Sequence, residues 1–303
     1  MATTVVMPPA NQITLAAKYL PILDEVYKRG SLTSILDTAE NRVNWLGANT
    51  VSLFDFDPVG MANYDRDAGF VMGDITAGWK PYAIEIDRGR AYQIDRMDNE
   101  ETLGMAVASA LSEIERVEVI PEVDAYRFAK WAGTTGVSGA TGAITPGTTD
   151  VAGLIDVAEA QMDNDEVPYE GRILYVSPTA YQALKGNIER RIINSEDNVN
   201  TNVEYFDDMR IIRVPQGRFN DSVTLNAPTT SAGVGGFTAA GNNIHFMIVH
   251  PSAIMQVMKH RLVRLFAPEQ NLEAEAYRLN FRFYHDTFVK ANKVKGIYVY
   301  KAQ

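Results

Sequence analysis

Two runs of alternating apolar and polar residues, 51–56 (V-S-L-F-D-F) and 82–94 (Ile84, Ile86, Tyr92 and Ile94 in step), flank a polar, glycine-bearing stretch, 57–78. A period of two predicts strands. Strands joined by so much turn-rich chain make a long projecting hairpin with no second layer of its own, and a lone hairpin is marginal in water. Whatever this chain folds into, the hairpin needs a neighbour to lie on.

A second constraint follows directly. Asp98 and Glu101 fit a capping box, after which Leu103, Val107, Ala110, Leu111, Ile114 and Val117 recur at helical spacing. The pattern resumes past Pro121 through Val123, Tyr126, Phe128 and Trp131. The reading is a helix of about 34 residues, ~50 Å long at 1.5 Å per residue, kinked at the proline. It is longer than a compact domain needs.

Residues 1–20, with Pro8 and Pro9, read as an extended arm, and residues 20–36, broken by Pro21 and Gly30, as two short helices. Gly133, Gly136, Gly139, Gly142 and Gly147 give residues 133–149 the composition of a flexible linker. Beyond it the pattern alternates. A helix (151–162) precedes a strand (173–176), then Ser177 and Pro178 supply an N-cap and first position for a helix over 179–185. A strand (210–214), a Gly/Thr/Ala-rich segment (227–243), a strand (245–249), a short helix (253–258) and strands at 262–266, 277–283 and 297–300 complete an α+β chain.

Its 303 residues predict about two domains. The net charge of -10 opposes a grip on nucleic-acid phosphates, which calls for a basic stripe. Charge is also segregated: residues 244–303 carry nine Lys or Arg against four acids, +5, leaving -15 on the rest. Opposite-sign segments suit either a solvated face or copies that meet head to tail. With no cysteine there is no disulfide, thiol nucleophile or sulfur-ligated zinc. The first basic residue is Lys18 and no apolar run approaches the ~20 residues of a bilayer span, so neither a secretion signal nor a membrane segment is expected.

Candidate chemistry is sparse. His245, His250, His260 and His285 lack zinc-helix spacing and read as structural. No phosphate loop, dinucleotide fingerprint or nucleophile elbow occurs, so no catalytic, metal or cofactor residue is assigned. The acids Asp55, Asp57, Asp65, Asp67, Asp74, Glu85, Asp87, Asp95 and Asp98 interleave with Arg66, Arg88, Arg90 and Arg96, which favours ion pairs over a metal-independent hydrolase site. Gly89, within D-R-G-R, fits a bulge or tight bend in its strand.

That segment, D-R-G-R-A-Y-Q-I-D over 87–95 followed by M-D-N-E-E-T over 97–102, resembles the major capsid proteins of tailed bacteriophages, with the Hong Kong 97-like shell fold. So do V-I-P-E-V-D-A-Y-R-F over 119–128, R-I-L-Y-V-S-P-T-A-Y over 172–181, R-F-Y-H-D over 282–286 and K-V-K-G-I-Y over 293–298, in the family's order. The resemblance implies an N-terminal arm with short helices (1–43) and an extended β-hairpin loop reaching a neighbouring subunit (44–95). It further implies a peripheral domain with the long spine helix (96–149 and 244–303) and an axial domain (150–243). Asp65, Arg66, Asp67, Trp79, Arg88 and Arg90 become candidate subunit-interface residues, and Gly89 the structural bend.

The implied function is an icosahedral shell of hexamers and pentamers enclosing double-stranded DNA without sequence-specific contacts. It is assembled in the bacterial cytoplasm, with no cofactor and no membrane, and with scaffolding, portal or decoration proteins as further partners. The chain begins almost directly at the arm, so a scaffolding leader is not expected within it. An encapsulin-like nanocompartment is the alternative reading of the same fold.

Overall fold

The computed structural model describes residues 31–37, 44–46, 49–64, 66–67, 69–70, 72, 75–96, 114–187, 204–227, 235–271 and 274–303. The expected arm before residue 31 and the first part of the long helix, 97–113, lie outside them.

Among the described residues the architecture is a seven-stranded mixed sheet and two three-stranded antiparallel sheets. The large sheet runs β5 (Ser138–Thr141), β13 (Ile297–Lys301), β10 (Phe237–Val249), β6 (Ile173–Val176), β8 (Met209–Arg213) and β7 (Tyr205–Phe206), with β9 (Asn220–Leu225) on the outer half of β10. β6 is buried at every position, as a strand covered on both faces must be. Leu174, Val176, Phe246, Ile248, Tyr298 and Tyr300 face helices α2 (Val151–Asn164) and α3 (Pro178–Asn187). Ile173, Tyr175, Met247, Val249, Ile297 and Val299 face α1 (Ile120–Ala132) on the other side. There Phe128 meets Trp131, Tyr175 and Phe219 edge-on, with centroids 5.0–5.4 Å apart.

α1 buries almost its whole circumference, including Asp124 and Arg127. The expected kink at Pro121 takes another form: residues Glu115–Val119 make a π-helical turn, in which the Ile120 N–H reaches the Glu115 carbonyl. Proline lacks the donor for the i−4 carbonyl and its ring crowds that turn, and widening the preceding turn relieves both. α2 starts on Asp150, whose carboxylate accepts from Gly153 N–H at 3.1 Å, and α3 on Ser177, whose hydroxyl accepts from Ala180 N–H at 3.3 Å, as the Ser-Pro pair predicts.

Several expectations are corrected. Residues 82–94 are not one strand: β3 (Ile75–Ala83) ends there, the chain turns at Ile84 and Glu85, and β4 (Ile86–Asp95) joins a different sheet. β3 pairs with β2 (Thr50–Pro58), so the hairpin extends well into the stretch read as polar loop. The glycine-rich linker contributes β5, parallel to β13, where Gly139 lets the Val299 carbonyl approach within the space of a Cβ. The expected helix at 253–258 is instead the start of β11 (Ile254–Phe266), because Ile254, Met255 and Val257 are needed on sheet faces. β10 spans residues 243 and 244, with irregularities in its pairing between Ala240 and Asn243 against β9 and between Ile244 and Phe246 against β13.

Gly89 is the last correction. β4 pairs with β12 (Ala276–Val289) in unbroken register from Ile86↔His285 to Asp95↔Ala276, so the strand neither bulges nor bends at the glycine. The irregularity of this sheet lies in β11, between Met258 and His260. Gly89 matters for a different reason: a Cβ there would sit 2.8 Å from the Phe281 carbonyl oxygen. Gly89→Val is therefore expected to push β4 off β12 and cost about 1–3 kcal/mol, as overpacking does. Thermal melting checks it, and an unchanged midpoint means that β12 yields freely.

Candidate functional site

The hairpin separates into an anchored base and an exposed end. Val51 and Ile84 are buried with Met255, Val257 and Phe288 of β11 and β12. Polar contacts fix the same corner. Asp286, 1% exposed, accepts from the Tyr126 hydroxyl (2.7 Å), the Glu85 N–H (3.1 Å) and the Thr287 N–H (2.7 Å), and Tyr284 donates to the Ile84 carbonyl (2.8 Å). Lys259, over the rings of Trp45 and Tyr284, donates to Asn49 Oδ1 at 3.2 Å.

At the other end apolar side chains stand in solvent. Met61, Phe70 and Met72 are 105%, 85% and 94% exposed, and Val59, Tyr64 and Trp79 are also exposed; Tyr64 and Phe70 touch, with ring centroids 4.8 Å apart. Scattered surface leucines need no explanation, but a cluster of large apolar groups on a projection marks a surface to be covered. This cluster is the candidate site. Of its apolar members sequence reasoning named only Trp79, because it weighed the polar residues of 57–78; the available signal was Met61, Phe70 and Met72 inside a turn-rich stretch.

The residues singled out from sequence fall on three places. Arg66 and Asp67 are exposed in a turn of the hairpin end, and Trp79 is exposed on β3; Asp65 lies outside the described residues. Arg88 points inward: its guanidinium pairs with Glu122 of α1 at 2.7 Å and donates to the carbonyls of Asn226 (2.7 Å) and Gly236 (3.1 Å). These three contacts lie within the chain. Arg90 lies on the same inward face, 6.0 Å from the Tyr92 ring centroid and beside Gly235.

Two of the described carboxylates are held in ion pairs. Asp87 pairs with Arg282 at 2.6 Å, and that hydrogen bond holds its carboxyl below the usual range; Arg96 pairs with Glu275 at 3.2 Å. Among the described residues no three His, Asp or Glu are placed to hold a metal ion. The histidines are separate: His245 lies in β10, His250 caps a 3-10 turn with Nδ1 2.7 Å from Ser252 Oγ, His260 is in β11 and His285 is buried in β12. No helix among the described residues is long and apolar enough to cross a membrane.

Among the described residues, His285 and Glu159 respond to acid with opposite signs. Burial, reinforced by Arg127 and Arg88, depresses His285 to about 3, so the unfolded chain takes up its proton near pH 6.5 while the folded chain does not. That stability is complete above pH 6.5 and is lost as pH falls; at pH 5 the loss is about 2 kcal/mol. His245 and His250, also depressed by burial, act in the same direction. Glu159 is raised to about 7 by burial and by Asp207, so its contribution grows as pH falls from 7 toward 4.5. It is only half-buried and solvent screens it, so His285, 3% exposed, dominates. Urea melts are expected to show a net loss between pH 7 and 5 that His285→Phe reduces; an equal loss in the variant sinks this assignment.

No family model and no curated protein matches the sequence. Solved structures do match in fold. A chain of Gordonia phage Cozz aligns over 90% of this chain and 86% of its own at 14% identity and TM-score 0.59. A chain from the capsid structure of cyanophage P-SCSP1u aligns over 88% and 86% at 15% identity and TM-score 0.58. One from a virus-like particle of Pyrococcus furiosus aligns over 94% and 98% at 10% identity and TM-score 0.53. The chain thus shares the mixed α+β fold of these structures.

Proposed function

We propose that this chain is a major capsid protein, many copies of which close into an icosahedral shell around the double-stranded DNA of a tailed bacteriophage. The observation that carries the reading is the hairpin, pinned at its base by Asp286 and the Val51–Ile84 cluster and apolar at its free end, in a fold shared with phage capsid chains. A neighbouring copy is the surface the end lacks. The Hong Kong 97-like division supports the roles: hairpin as extended loop, α1 and the β11–β12–β4 sheet as peripheral domain, and α2, α3 and β6–β8 as axial domain around which hexamers and pentamers form. Arg66, Asp67 and Trp79 lie on the surface that contacts a neighbour. An acidic shell encloses DNA without gripping it. Assembly takes place in the host cytoplasm, with scaffolding, portal or decoration proteins as further partners.

Electron microscopy of the recombinant protein, with mass from light scattering on the same sample, tests this. Closed shells, capsomers, tubes or sheets are expected; a persistent monomer, even with crowding agents, refutes it. The likeness to a virus-like particle favours one second reading, a nanocompartment, and protein cargo instead of packaged DNA distinguishes it.

A further inference from the structure

Exposure sorts the described methionines by place. Met61 and Met72, at the hairpin end, are 105% and 94% exposed, whereas Met162, Met209, Met247 and Met255 are at most 2% exposed. The buried four belong to packed clusters: Met162 and Met209 with α2 and α3, Met247 on the α1 side of the large sheet, and Met255 beneath the hairpin base. Met258, on β11, is partly buried. A dissolved reagent therefore meets the two hairpin sulfurs directly, while it reaches the buried ones only when the sheets around them open.

Apolar area alone does not call for methionine at these positions, since leucine has a similar volume and no reactive atom. The thioether adds a sulfur that hydrogen peroxide oxidises. Its lone pair takes one peroxide oxygen: an S–O bond forms, the O–O bond breaks, the sulfur gives up two electrons, and the other oxygen leaves as water with both protons. The product, a sulfoxide, is polar and accepts hydrogen bonds. In the free subunit this disturbs no packing, because both side chains stand in solvent. Under a neighbour's apolar surface it leaves an acceptor buried without a donor, which weakens the contact about 10-fold or more per sulfoxide.

We propose that Met61 and Met72 form a peroxide-sensitive site whose oxidation switches off association of copies through the hairpin end. The selectivity is a property of one chain; the effect on association rests on the capsid function proposed for it. The switch is reversible: methionine sulfoxide reductases, one for each sulfoxide epimer, restore the thioether with a thiol as reductant. The oxygen then leaves as water and two thiols become a disulfide.

Limited treatment of unassembled subunits with hydrogen peroxide, followed by peptide mass mapping, tests the site. Met61 and Met72 are expected to oxidise at least about 10-fold faster than Met162, Met209, Met247 and Met255; equal rates overturn it. Light scattering on the same samples tests the switch. Oxidised subunits are expected to lose particle formation and to regain it after treatment with both reductases and a thiol. In a Met61→Leu/Met72→Leu variant, peroxide is expected to leave association at its untreated level, whatever that level is. Unimpaired association of the oxidised native chain, no recovery with the reductases, or equal peroxide sensitivity in the variant overturns the switch. Subunits that stay monomeric before any treatment refute the capsid function and the switch together, while the oxidation rates still decide the site.

Discussion

Asp286→Ala is expected to cost about 3–5 kcal/mol, the range for removing one partner from a buried charged cluster. The carboxylate is 1% exposed and collects three donors from α1, the β3–β4 turn and its own strand. Alanine leaves the Tyr126 hydroxyl and the Glu85 N–H buried without an acceptor, and each such group costs about 1–3 kcal/mol. Asp286→Asn retains one acceptor oxygen but turns an amide donor toward a second donor, so it recovers only part of the loss. Urea midpoints at unchanged slope measure both. An alanine variant within 1 kcal/mol of the native protein would contradict the role of Asp286 as the fastening of the hairpin base.

Serine at Met61, Phe70 and Met72 together is expected to abolish particle formation while leaving the subunit's melting point within about 2 °C. These side chains touch water in the isolated chain, so their removal takes little from its fold. If a neighbour covers them, each contributes about 1.5–3 kcal/mol, and three contribute at least about 4 kcal/mol per contact, roughly a thousandfold in its association constant. Summed over the contacts of a closed shell, that shift exceeds what concentration can restore. The readout is sedimentation or light scattering against concentration. Normal particles from the triple variant would show that the hairpin end is not an interface, whereas a lowered melting point would show that it packs within its own chain.

What the sequence revealed depends on how local the cause is. α2, β6 and the Ser177-Pro178 start of α3 were legible because capping and a short apolar run are decided within a few residues. β11 was misread as helix because Ile254, Met255 and Val257 are apolar in either periodicity, and only pairing with β12 selects the strand. β5 was hidden in a glycine-rich run because small residues are what its close approach to Val299 demands. At Gly89 the residue was noticed and its cause mistaken: a neighbour's carbonyl, not its own backbone angle, excludes a side chain. The Asp286 cluster was not legible, since its partners Tyr126 and Glu85 lie about 160 and 200 residues away.

Those separations also order events in time. β2 and β3 pair across a connection of a few dozen residues at most, whereas β4 must find β12 about 180 to 200 residues further along. Closing the longer loop carries the larger entropic cost, and folds dominated by distant pairings form slowly. During synthesis the hairpin can therefore close while the strands that seat its base are still being made. A nascent chain displays its apolar end before it has a body to aim it, and crowded ribosomes translating one message place many such ends side by side. Premature association through the hairpin is the characteristic hazard of this topology, and slowing translation or lowering expression temperature is expected to raise the yield of correctly folded subunits.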